Sequence, residues 1–104
     1  MEAWLTVQSG LEEPSEYRID DNGYITIGRA SHSTIFLHDH TVAKTHARLW
    51  LCNHGRLRCY GIKNGYTTLL NGNAVTVPFD MYDGDVMQIG DFEIRFTADD
   101  TVFG

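Results

Sequence analysis

Apolar side chains along this chain recur at every second position in short runs, not at helical spacing. The first runs are AWLTVQ at 3–8, EYRI at 16–19, YITIG at 24–28 and TIFL at 34–37. HARLWLC at 46–52, RLRCY at 56–60, TTLLN at 67–71, AVTV at 74–77, VMQIG at 86–90 and FEIRF at 92–96 follow. Between them stand Asp21-Asn22-Gly23, Asn53-His54-Gly55, Asn64-Gly65, Asn71-Gly72, Asp83-Gly84-Asp85 and Gly90-Asp91. Asn-Gly and Asp-Gly pairs supply the positive φ angles that tight hairpins require. Period-two runs rich in Val, Ile, Thr, Tyr and Phe, cut this regularly by turns, predict an all-β sandwich or barrel. Trp4, Trp50, Phe92 and Phe96 are the expected aromatic part of its core. The hydrophilic stretch SGLEEPS at 9–15 is expected to be a surface excursion.

A chain of 104 residues suffices for one domain with one core. The expected division is a folded domain over 1–98 and a tail or linker stump over 99–104. No apolar run approaches the ~18 residues of a membrane span. The start, MEAWLTVQSG, has an acid at position 2 and no basic segment, which argues against a secretory signal. A cytoplasmic setting without a membrane partner is the expectation. Net charge is −6, from eight Lys and Arg against fourteen Asp and Glu. A duplex-binding module needs a basic stripe to neutralise phosphates, so nucleic acid is not an expected partner. The few cations gain weight instead: where they gather, something needs them.

Cys52 and Cys59 flank a turn signal. A two-residue turn at His54-Gly55 would set residue 50 opposite residue 59 and leave the cysteines diagonal on one face. At roughly 7–8 Å such a pair is too far apart for an easy disulfide. A three-residue turn would alter that register. Both cysteines are expected to be reduced.

Four segments carry the chemistry. Gly28-Arg29 closes a strand, and after TIFL comes Val42-Ala43-Lys44-Thr45-His46-Ala47-Arg48. Lys63-Asn64-Gly65 is next, then Leu70-Asn71-Gly72 with DGDVMQIGDFEIRF at 83–96. In this order and spacing, from Tyr24 to Phe96, the chain resembles the forkhead-associated (FHA) domain family. The resemblance implies an antiparallel β-sandwich of about ten to eleven short strands that recognises phosphothreonine on partner proteins. It implies no cofactor and no catalysis.

The physical logic stands beside the resemblance. Loops from successive strands of a sandwich meet at one end, where binding sites sit. Arg29, Lys44 and Lys63 fall in those loops, and a phosphate dianion takes charge-assisted hydrogen bonds from such groups. The family pattern makes His46 a brace inside the loop, with Ala47 and Leu49 facing inward on the next strand. It assigns Asn64 to the peptide backbone and makes Gly28, Gly65, Asn71 and Gly72 structural. Ala43 departs from it, because relatives carry a serine there whose hydroxyl bonds phosphate. Losing one hydrogen bond to a charged group costs on the order of 1.5–3 kcal/mol, or roughly 10- to 100-fold in affinity. Thr41, Thr45, Ser31, Ser33 and backbone N–H groups are the candidate replacements. A second departure is two extra residues, placed at Tyr66-Thr67 so that Thr68 takes the family threonine's position. Aligning from Asn71 instead would put Tyr66 in the place of Asn64.

His32, His38 and His40 lie close in sequence, and His38 and His40 would share a side of a strand. No Cys or carboxylate set completes a metal site there, and the acids in the turns suit local backbone bonding. No nucleophile stands in a recognisable setting with a base. Two readings result. One is a phosphothreonine reader using Arg29, Lys44, Thr45, Lys63 and Asn64. The other is an FHA scaffold that makes phosphate-independent contacts with a partner or with its own copy.

Overall fold

The alternating runs become eleven strands in two packed sheets. The structure is a computed structural model that describes residues 2–20, 23–52 and 55–99. The strands are β1 (Glu2–Gln8), β2 (Ser15–Ile19), β3 (Tyr24–Gly28), β4 (Ile35–Phe36), β5 (Ala47–Cys52) and β6 (Arg56–Ile62). β7 (Thr68–Leu70), β8 (Asn73–Ala74), β9 (Phe79–Met81), β10 (Val86–Ile89) and β11 (Phe92–Asp99) complete the set. One sheet has the order β2-β1-β11-β10-β7-β8 and the other β4-β3-β5-β6-β9. Their pairings are antiparallel except the short parallel pair of β3 with β4. Among the described residues there is no helix, hence none long and apolar enough to cross a membrane.

Alternation places the core. Ala3, Leu5 and Val7 of β1, Ile94 and Phe96 of β11, and Met87 and Ile89 of β10 face inward from one sheet. Ile25, Ile27, Leu49, Leu51, Leu57 and Cys59 meet them from the other. Full burial of each large apolar side chain contributes about 1.5–3 kcal/mol.

The aromatic expectation needs correction. Phe96 is fully buried and Phe92 packs against the core, but Trp50 is exposed and Trp4 half-buried outside it. Leu49 and Leu51 take the inward positions of β5, so Trp50 between them must face out. The cysteine geometry also differs. Cys52 pairs with Arg56 across a three-residue connection, and Cys59 pairs with Leu49. The cysteines therefore lie on opposite faces of β5–β6, and both are free. Burial pushes the Cys59 thiol up to about 11. Residues 53 and 54 of that turn lie outside the described residues, as do Asp21, Asn22 and 100–104.

Strand boundaries moved in one region. The expected run at 74–77 is a strand only over β8, and the unpredicted β9 follows the cis Val77–Pro78 bond. β9 is fixed by tertiary pairing: Asp80 sits opposite Arg58, whose guanidinium grips its carboxylate at 2.9 and 3.2 Å. β11 reaches Asp99, which pairs with Glu2.

Candidate functional site

Three backbone hydrogen bonds stitch together the loops that carry the expected site residues. The Arg29 N–H donates to the Ala43 carbonyl at 2.9 Å, and the Ala30 N–H to the Lys44 carbonyl at 3.1 Å. The Lys63 N–H donates to the His46 carbonyl at 2.9 Å. Residues 29–30, 43–46 and 63 thus form one end of the sandwich. The approach leaves no room for a side chain at Gly28, where a Cβ would lie 2.8 Å from the Lys44 carbonyl carbon.

His46 stands fully buried behind this end. Its Nδ1 accepts the Ala43 N–H at 3.2 Å, which leaves the ring proton on Nε2, 2.8 Å from the Thr68 hydroxyl. Burial holds the imidazole below its ordinary pKa of 6.5, offset only in part by a hydrogen bond to the Thr67 backbone. The ring is therefore neutral at pH 7 and joins the loop to β7. Tyr66 meets it edge-on, with centroids 5.6 Å apart.

The remaining candidates divide by exposure. Arg29 is half-buried and its Nε donates to the Val42 carbonyl at 3.1 Å, fixing the guanidinium at the loop's root. Lys44, Thr45, Lys63, Asn64 and Gly65 are exposed. An open groove runs beside them, lined by Thr45, His46, Arg48, Gly61, Ile62 and Lys63. Arg48 belongs to this groove although the motif did not single it out. Its alternation on β5 marks it as outward-facing, but its reach depends on a β-bulge where the register shifts between Arg48 and Leu49. Asn71 and Gly72 are elsewhere, in the β7–β8 turn at the far end of β7 from Thr68. Both have positive φ, and Asn71 ties that turn to β10 through the Val86 N–H at 2.9 Å.

Of the candidate replacements for the serine, Ser31, which is exposed, and Ser33, which is half-buried, have no side-chain hydrogen bond among the described residues. Ala43 is only 2% exposed, and its N–H is taken by His46. The Thr41 hydroxyl gives its proton to the Asp39 carboxylate and accepts the Asp91 N–H, so it is committed. Those Thr41 bonds hold Asp39 below the usual carboxylate range. Lys44 and Thr45 keep their N–H groups without a partner among the described residues, and Thr45 keeps its hydroxyl. His38 stacks on Phe36 at 5.6 Å, and His40 is exposed. Among the described residues no three His, Cys, Asp or Glu side chains group to hold a metal ion.

Three of the four cations elsewhere are in ion pairs. Arg18 pairs with Glu2, Arg56 and Arg58 share Asp80, and Arg95 donates to the Gly84 carbonyl. Arg29, Lys44, Arg48 and Lys63 have no ion pair among the described residues. Arg95 also lacks an ion pair, so five of the eight cations are unpaired among the described residues, and four of those five stand on connected loops and the groove beside them.

Comparison with known proteins places this architecture. A search of curated proteins finds no match. The FHA domain of CT664 from Chlamydia trachomatis superposes with a TM-score of 0.88 at 15% identity, over 95% of this chain and 99% of that one. The cytoplasmic domain of the T3SS sorting platform protein PscD from P. aeruginosa gives 0.79 at 19% identity, over 96% and 82%. An FHA domain solved for its phosphothreonine-dependent interactions gives 0.76 at 22% identity, over 92% and 97%. The FHA domain family model matches residues 25–90. With the fold, the stitched loops and that match together, the chain belongs to the FHA domain family.

Proposed function

We propose that this domain is a non-catalytic interaction module that binds a phosphothreonine-bearing segment of a partner protein at the end formed by residues 29–30, 43–46 and 63–64. The observation that carries the reading is the set of unneutralised cations Arg29, Lys44, Arg48 and Lys63 in a chain of net charge −6. The free N–H groups of Lys44 and Thr45 add donors suited to a phosphate oxygen. Asn64, exposed and without an intramolecular partner among the described residues, is the side chain this reading assigns to the peptide backbone. The cytoplasm suits both such a partner and two free cysteines.

A second reading, docking without phosphate, is favoured by the burial of Ala43 and the committed hydroxyl of Thr41. Calorimetric titration with a degenerate phosphothreonine peptide library and its unphosphorylated copy separates the two. The reader binds only the phosphorylated library, weakens with added inorganic phosphate, and loses at least tenfold affinity in Lys44→Ala. Equal binding of both libraries sinks it and leaves the second reading.

A further inference from the structure

The outer face of the five-stranded sheet carries a cluster that the loop end does not use. Tyr24 of β3, Trp50 of β5 and Tyr60 of β6 are 65%, 38% and 38% exposed. They are already packed on one another: Tyr24 stacks on Trp50 with centroids 5.6 Å apart and meets Tyr60 edge-on at 6.3 Å. Tyr60 is the residue that the bulge leaves without a cross-strand partner, since Arg48 pairs with Gly61 and Leu49 with Cys59. The bulge sets its ring beside Arg48, whose guanidinium carbon lies 5.7 Å from the ring centroid.

From these observations we infer that this face is a second interaction surface, and that it docks an acidic segment of a different protein carrying apolar or aromatic anchors. Tyr, Trp and Arg are the residue types enriched at the energetic centres of interfaces. Rings fixed by mutual stacking lose little further entropy on docking. Charge decides the occupant. The outward positions of β3, β5, β6 and β9 carry three arginines, Arg48, Arg56 and Arg58, against one carboxylate, Asp80, so the face is net +2 while the chain is −6. A symmetric pairing of two copies would set this face against itself, +2 to +2, and is disfavoured. Arg48 also lines the groove beside Thr45 and Lys63, so the surface continues into the loop end. The inference does not depend on phosphate recognition.

The test is a phage-display selection of unphosphorylated peptides on the whole domain, followed by titration of the enriched peptides into isotope-labelled domain. Enriched sequences should combine Asp and Glu with Trp, Phe or Leu. Their resonance shifts should centre on Tyr24, Trp50 and Tyr60, and affinity should fall at least tenfold in both Trp50→Ala and Tyr24→Ala. Added inorganic phosphate should leave it within twofold, which separates this surface from the loop end. Both side chains face outward, so the variants are expected to fold, and circular dichroism checks that they do. Enrichment of basic or uncharged peptides, shifts confined to residues 43–46 and 63–64, or full affinity in both variants overturns the proposal. Sedimentation showing that wild type self-associates and Trp50→Ala does not overturns it in favour of a second copy.

Discussion

On the inner side of the loop at residues 41–46, the polar groups that face the core have partners. On its outer side the side chains of Lys44 and Thr45, with neighbouring Lys63 and Asn64, have none among the described residues. The Ala43 N–H, both ring nitrogens of His46 and the Thr68 hydroxyl form one buried chain of hydrogen bonds. This division separates shape from recognition. The loop is held by contacts that a ligand does not touch, so its backbone N–H donors are in place before binding, and the ordering cost that remains is that of the exposed side chains. Substitutions on the two sides should then fail differently, the inner ones by unfolding and the outer ones by losing a ligand.

The largest expected effect is on the inner side. His46→Ala removes the acceptor of a buried N–H and the partner of the Thr68 hydroxyl, and leaves a cavity. Each orphaned buried group costs about 1–3 kcal/mol, and the void adds to it, so a loss of about 3–4 kcal/mol is expected. Urea denaturation measures it. A loss below about 1 kcal/mol would show that the buried chain does not hold the loop.

A smaller effect comes from pH. In the unfolded chain the His46 imidazole titrates near its ordinary 6.5, whereas burial lowers it in the folded domain. Below pH 6.5 the unfolded state therefore binds a proton that the folded state refuses. His46's contribution is complete above that value and lost as pH falls from it toward the folded pKa. The limiting slope for one proton is about 1.4 kcal/mol per pH unit. Comparing denaturation at pH 7.5 and 5.5, wild type should lose more stability than His46→Ala over the same step. Equal losses would show that the ring titrates normally in the fold.

How much of this was legible follows from what fixes each feature. Two-residue alternation is local, so β3 at Tyr24–Gly28 and the inward Leu49 and Leu51 could be read directly. β9 could not, because three residues after Pro78 become a strand only by pairing with β6 and by the Arg58–Asp80 contact. The same alternation sends Trp50 outward, but expecting every large aromatic in the core overrode it. At the loop end the motif gathered Arg29, Lys44 and Lys63 into one region. It did not disclose the Arg29 bond to Val42, the commitment of Thr41 to Asp39, or the burial of Ala43. Those depend on where side chains turn within a loop, which spacing along the chain does not determine.

The smallest expected change in stability is on the outer side, and it completes the contrast. Lys44 and Lys63 are exposed and without ion pairs among the described residues. Replacing such residues with alanine ordinarily shifts stability by no more than about 0.5 kcal/mol each. The double variant Lys44→Ala/Lys63→Ala also removes two positive charges from an acidic chain, which adds slightly to its self-repulsion. Its denaturation midpoint should therefore stay close to wild type or fall a little, with an unchanged slope. A loss of more than about 2 kcal/mol would show that the lysines help hold the loop's shape, because exposed side chains free of partners have no route to an effect of that size.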